Sequence, residues 1–230
     1  MAKKKLENDN NHFIISSINP KSIITEQYRT IRTNLEFQML DSKLKTLLVT
    51  SAEAEAGKST LLANLAVVFA QQEKRVLVID ADLRKPTVHT IFHLDNRVGL
   101  TTVLSKQTEV GQALQPTRIV QNLAILTSGP IPPNPAELLS SNSMRDLISR
   151  VSQSFDIILI DAPPVVSVTD AQILSGIIDG VIIVAQADQT RKADLRLAKK
   201  RLDQVQANIL GCVLTGYEVA ERAYYYYGTD

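Results

Sequence analysis

The chain has 230 residues, 44% hydrophobic and 21% charged, with a formal net charge of +1. That is long enough for one globular domain with a sizeable core, with or without tails. The charge is too near neutrality for a surface-wide field that would favour nucleic acid. One cysteine excludes a disulfide framework and points to a reducing compartment, and no stretch approaches the ~18 apolar residues of a transmembrane helix.

Lys3-Lys4-Lys5 runs into Leu6-Glu7-Asn8-Asp9-Asn10-Asn11, which is not a signal-peptide core, and residues 1–12 read as a disordered lead-in. The expected location is the cytoplasm, with any membrane contact made through a partner. Residues 13–24 read as extended or irregular, with a turn at Pro20. A helix is predicted over 25–40, with Thr25 as its cap and Ile24, Tyr28, Ile31, Leu35 and Met39 on one face. Glu26, Arg29 and Arg32 recur every three residues on the other side, a charged stripe whose simplest reading is a solvated face with one ion pair.

Six apolar runs follow: Lys45–Thr50, Arg75–Asp80, Leu123–Thr127, Asp156–Asp161, Gly180–Gln186 and Ile209–Thr215. Several are nearly continuous Val, Ile and Leu, as strands covered on both faces should be. Helical patterns separate many of them, at Lys58–Gln72, Pro135–Ser152, Thr169–Asp179 and Arg191–Gln206. The alternation predicts right-handed crossovers and an α/β fold, a mostly parallel, doubly wound sheet flanked by helices. Ligands in such sheets sit at the carboxyl ends of the strands. Cys212 falls inside the last apolar run and is expected in the core. Residues 13–216 thus form a single domain, followed by a tail over 217–230.

Leu47-Leu48-Val49-Thr50-Ser51 stops at a polar loop that closes on Gly57-Lys58-Ser59-Thr60, and Leu61 onwards reads as a helix. Strand, loop, helix is the context of a phosphate-binding loop: backbone N–H groups wrap the phosphates, Lys58 reaches the terminal ones, and Ser59 offers a hydroxyl to Mg2+. Ala52 stands where the full motif has its first glycine. Two other strand ends carry carboxylates, Asp80 with Asp82, and Asp161. Asp80 and Asp82 share a face if strand geometry persists. A carboxylate ending an apolar strand is costly unless it meets a cation or water, and Mg2+ supplies that cation. One of Asp80 and Asp82 can serve the metal while the other accepts a proton from a nucleophile. Water as nucleophile gives an ATPase; a hydroxyl gives a kinase.

The chain ends in Tyr224, Tyr225, Tyr226, Tyr227, Gly228, Thr229 and Asp230. Four adjacent tyrosines suit an edge strand, an interaction tail, or a set of phosphate acceptors. Together with Val78-Ile79-Asp80-Ala81-Asp82-Leu83-Arg84-Lys85-Pro86, Ile157–Asp161, Gly129-Pro130-Ile131-Pro132-Pro133-Asn134-Pro135 and Glu26-Gln27-Tyr28-Arg29-Thr30-Ile31-Arg32, this pattern resembles the BY-kinases, the bacterial tyrosine kinases of capsule and exopolysaccharide synthesis. The resemblance covers essentially the whole chain beyond residue 12.

It implies a P-loop NTPase-like core adapted to phosphorylate tyrosine with ATP and Mg2+. Glu53, Ala54, Glu55, Ala56, Gly57, Lys58, Ser59 and Thr60 would cradle the nucleotide. Lys58 would polarise its phosphates, Ser59, Asp80 and Asp161 would serve the metal, and Asp82 would help to deprotonate tyrosine. Glu26, Arg29 and Arg32 would join subunits into a ring in which one protomer's tail enters its neighbour's site. A membrane-spanning activator of the polysaccharide chain-length regulator type, a tyrosine phosphatase and protein substrates in polysaccharide synthesis would be the partners. The activator would bring the kinase to the inner face of the membrane.

The loop departs from the family where Ala54 and Glu55 replace Pro and Gly. It must avoid left-handed conformations there or accept roughly 1 kcal/mol of strain. Thr215-Gly216 stand where relatives often carry Asn, which leaves the adenine contacts unassigned. A P-loop ATPase switch of the partition or cell-division type shares the core, but it usually has an extra loop lysine, absent from Ser51–Glu55, and lacks a tyrosine cluster. A non-catalytic nucleotide-binding scaffold is the third reading, motivated by the Ala/Glu loop.

Overall fold

The computed structural model describes residues 14–42 and 44–217. Both the lead-in over 1–12 and the tyrosine cluster lie outside the described residues. All six predicted strands form: β1 (Thr46–Ser51), β2 (Val76–Asp80), β4 (Leu123–Leu126), β5 (Ile157–Asp161), β6 (Gly180–Gln186) and β7 (Ile209–Thr215). A two-residue strand, β3 (Gln115–Pro116), joins them in a seven-stranded sheet of order β3-β4-β2-β5-β1-β6-β7. Every pairing is parallel except β3 with β4.

The period-two alternation of each strand feeds two cores. Leu47, Val49, Val76, Val78 and Leu159 point to one face, where they meet α2 (Ile23–Ser42) and α3 (Lys58–Ala70). Leu48, Leu77, Ile79, Ile158 and Ile160 point to the other, under α8 (Asn142–Ser154), α9 (Asp170–Ser175) and α10 (Lys192–Asp203). Burial on both sides explains why these strands read as unbroken apolar runs.

Several local expectations change. The segment read as extended or irregular contains a short helix, α1 (Ile15–Ile18), because Ile14 is buried and the Ser16 N–H donates to Asn64 Oδ1 at 2.9 Å. Thr25 is not the cap of α2. Ser22 performs that role, its Oγ accepting from the Thr25 N–H at 3.1 Å, while Thr25 is buried and donates to the Asn19 carbonyl at 2.8 Å. Pro135–Ser152 is two helices, α7 (Pro135–Ser140) and α8, parted at Ser141, whose extended backbone lets its hydroxyl accept from Met144 N–H.

Short helices α4 (Val88–Phe92), α5 (Leu100–Leu104) and α6 (Val110–Ala113) fill the long connection from β2 to β4. Cys212 is exposed rather than in the core. It lies on β7, an edge strand beyond which no further strand follows among the described residues.

Candidate active site

β1 delivers the chain into the loop, and α3 begins at Lys58. The turn at Ala54–Glu55 is tight, and Glu55 takes the left-handed conformation at φ 62°. The loop therefore carries the strain of about 1 kcal/mol that a glycine would relieve. Gly57 is also left-handed, at φ 84°, and a Cβ there would sit 3.4 Å from the Thr215 side chain. Thr215 Oγ1 donates to the Ala56 carbonyl at 2.8 Å, so the end of β7 braces the loop.

Parallel pairing brings the expected carboxylates to this edge. Asp80 and Asp161 are register partners on β2 and β5, both fully buried. Asp80 accepts from the Asp82 N–H at 3.2 Å and the Val88 N–H at 3.1 Å. Asp161 Oδ2 accepts from the Ser59 hydroxyl. Strand geometry does not persist to Asp82: β2 ends at Asp80, and Asp82 Oδ1 accepts from the Lys85 N–H at 3.0 Å. Asp82 still lines the same cavity as Lys58 and Ser59, a space of about 630 Å³ also walled by Arg84, Pro163 and Pro164. A second cavity of about 590 Å³, bordered by Phe37, Met39 and Ile157, includes none of the predicted site residues.

Burial pushes the Asp80 carboxyl well above the usual carboxylate range, and the charge of Asp161 adds to the shift. Burial likewise raises Asp161 to about 6, against the pull of Lys58 and the Ser59 hydroxyl. Carboxylates held this way are unfavourable as anions unless a cation joins them. The arrangement fits Mg2+: Asp161 Oδ1 is buried without a hydrogen-bond partner among the described residues. No cluster of three or more His, Cys, Asp or Glu side chains cages a metal among those residues. Mg2+ does not need one, since it binds through one or two carboxylates plus phosphates and water.

Not every expected nucleotide-binding residue lines the cavity. Ala54, Glu55, Gly57, Lys58, Ser59 and Thr60 do, whereas Glu53 and Ala56 are absent from its wall. Glu53 instead acts electrostatically on Arg191. On α2, Glu26 and Arg29 form an ion pair on a half-exposed face. Arg32 is not turned to solvent: it donates to the Val68 carbonyl at 2.9 Å and lies 3.7 Å from Glu36. The expected stripe is therefore two residues wide. Tyr224, Tyr225, Tyr226 and Tyr227 lie outside the described residues.

Sequence reasoning missed some residues here. Arg84 makes two hydrogen bonds to the buried Asp170, at 2.8 and 3.0 Å, tying the segment after β2 to α9. Thr87 donates to the Ser59 hydroxyl at 2.8 Å. Arg84 falls within the Val78–Pro86 motif, which assigns it no role, and no local pattern marks Asp170.

The AAA domain family model matches residues 44–210. The chain is 49% identical over 217 residues to the tyrosine-protein kinase YwqD of Bacillus subtilis, covering 94% of this chain and 91% of that one. It is 40% identical to the putative tyrosine-protein kinase CapB of Staphylococcus aureus, covering 92% and 93% of the two chains. The kinase domain of the Escherichia coli tyrosine kinase ETK superposes with a TM-score of 0.84 at 31% identity, covering 90% of this chain and 82% of that one. With the P-loop, the paired strand-end carboxylates and this likeness over nearly its full length, the chain belongs to the bacterial tyrosine-protein kinases.

Proposed function

We infer that this kinase transfers the terminal phosphoryl group of Mg2+-ATP to its own Tyr224–Tyr227 cluster, between subunits, and that this cycle regulates capsule or exopolysaccharide synthesis. The observation that carries the chemistry is the convergence of Lys58, Ser59, Asp80, Asp82 and Asp161 at one sheet edge. Lys58 holds positive charge at the phosphates, and the N–H groups opening α3 orient them. Ser59, Asp80 and Asp161 would hold Mg2+, which when bound neutralises phosphate charge. Asp82, at the cavity wall, takes the proton of the tyrosine hydroxyl as its oxygen bonds to phosphorus and the bond to ADP breaks.

The regulatory part rests on the family resemblance. Glu26, Arg29 and Arg32 join neighbouring subunits in a ring. A transmembrane activator recruits the kinase to the inner face of the membrane, and a tyrosine phosphatase resets it. Protein substrates in polysaccharide synthesis receive phosphate from the same site. Each phosphotyrosine adds nearly two negative charges, so a crowded modified tail repels its neighbours and leaves their active sites.

Incubation with Mg2+-ATP, with and without a fused activator tail, followed by phosphotyrosine detection, tests the core claim. Lys58→Met should lower the signal by at least about 100-fold, and deletion of 224–230 should remove the main labelled site. Persistent labelling in either variant overturns the assignment. Glu26→Ala with Arg29→Ala should shrink the particle in light scattering without loss of nucleotide binding. An unchanged mass returns that face to a solvated role.

A further inference from the structure

Thr87 stands at the N-cap of α4, where a threonine hydroxyl ordinarily accepts a hydrogen bond from the first turn of the helix. It makes no such bond. The segment is anchored instead through the backbone, by the Val88 N–H donating to Asp80 Oδ2 at 3.1 Å. The Thr87 hydroxyl is left to point across the site, where it donates to Ser59 Oγ at 2.8 Å. Ser59 in turn donates its proton to Asp161 Oδ2.

A serine hydroxyl has one proton and two lone pairs. Asp161 takes the proton and Thr87 takes one lone pair, so the direction of the other is set by two partners anchored on β5 and α4. The other oxygen of the same carboxylate, Asp161 Oδ1, is buried and without a partner among the described residues. A hydroxyl with a lone pair to spare, hydrogen-bonded to a carboxylate whose other oxygen has no partner, offers the donor set a cation takes.

We propose that Thr87 is a positioning residue for Mg2+: its hydroxyl fixes the rotor of Ser59 so that the serine oxygen faces the metal rather than turning away. This rests on the Mg2+-nucleotide reading of the site and goes beyond it by adding a residue outside the phosphate loop and the strand-end carboxylates. Outer partners that orient a metal ligand typically change metal affinity by about 10–100-fold. An alcohol on an uncharged neighbour belongs at the low end of that range.

The test is binding rather than turnover. A fluorescent ADP analogue is titrated into the full-length chain in EDTA and across a Mg2+ series, for wild type, Thr87→Val and Thr87→Ser. Thr87→Val should reduce the Mg2+-dependent gain in affinity by about 10-fold and leave the EDTA affinity unchanged, and Thr87→Ser should restore the gain. Thr87 is exposed, so the valine variant should keep its melting temperature. An unaltered Mg2+ dependence in Thr87→Val, an equal loss in EDTA, or a serine variant as weak as the valine one would overturn the proposal. A wild-type protein whose ADP affinity ignores Mg2+ would sink the underlying metal reading and the proposal together.

Discussion

Strands β2 and β5 lie in the middle of the sheet and β7 at its edge, and polarity is handled in opposite ways in the two regions. At the carboxyl ends of β2 and β5 the apolar strands end in fully buried carboxylates, Asp80 and Asp161. On β7, an equally apolar run leaves Cys212 and Leu214 in solvent, Leu214 at 55% exposure. Position in the sheet, not composition of the strand, makes the difference. Central strands are clamped by neighbours on both sides and helices on both faces, so the surrounding packing can hold groups that would otherwise seek water. Among the described residues β7 has a neighbouring strand on one side only, and it gives up burial of its own apolar groups.

The sharpest way to break this comparison is to truncate one apolar group in each region. Leu48→Ala, on the fully buried strand β1 beside β5, should cost about 2–5 kcal/mol in denaturant melts. Cys212→Ala should stay within about 0.5 kcal/mol, and the native thiol should react with a thiol reagent without prior unfolding. A protected thiol, or comparable losses at both positions, would mean that β7 is covered in solution.

The middle of the sheet can be tested through its charge. Burial pushes the folded Asp161 carboxyl up to about 6 from an ordinary 3.8, so the folded chain binds a proton more tightly than the unfolded one. That increment is fully present below pH 4 and is lost as pH rises through about 6. The nucleotide-free protein should therefore lose stability over this window, and Asp161→Asn should reduce the slope, with the raised Asp80 carboxyl supplying what remains. At pH 7 that variant should be more stable by about 1–3 kcal/mol while losing kinase activity. A thermal melt series from pH 4 to 7 with and without the substitution measures both. An unchanged slope would place the proton elsewhere.

The smallest effect belongs to the opposite end of the strands. Asp156, just ahead of β5, is held at about 2 first by its hydrogen bonds from the Arg75 side chain. Here the sign reverses: the contribution is present above about pH 4 and disappears as pH falls towards 2. Both partners are largely solvated, so screening leaves little of it. Asp156→Asn should change the melting temperature near neutrality by no more than a degree or two, and a larger change would indicate a buried role for the pair.

Local pattern made much of this molecule readable. Gly57-Lys58-Ser59-Thr60 after an apolar run identified the loop, and β6 and β7 begin and end where their apolar runs do, at Gly180–Gln186 and Ile209–Thr215. What escaped depends on relations between distant residues. Arg84 meets Asp170, Thr87 meets Ser59, and Arg32 meets the Val68 carbonyl, none of them coupled by periodicity. Cys212 was misplaced for the same reason: an apolar run announces a strand but not its rank in the sheet. Ser141 was hidden because a polar residue inside a helical pattern can face solvent or cap the next helix, and only the backbone turn decides.

The bond from Thr215 Oγ1 to the Ala56 carbonyl joins the last residue of β7 to the phosphate loop. Tyr217 follows two residues later and is 69% exposed. Tyr217 and the phosphate loop are thus joined by one short linkage. A pull applied at Tyr217 acts two residues from that linkage, so it reaches the loop without having to cross the core.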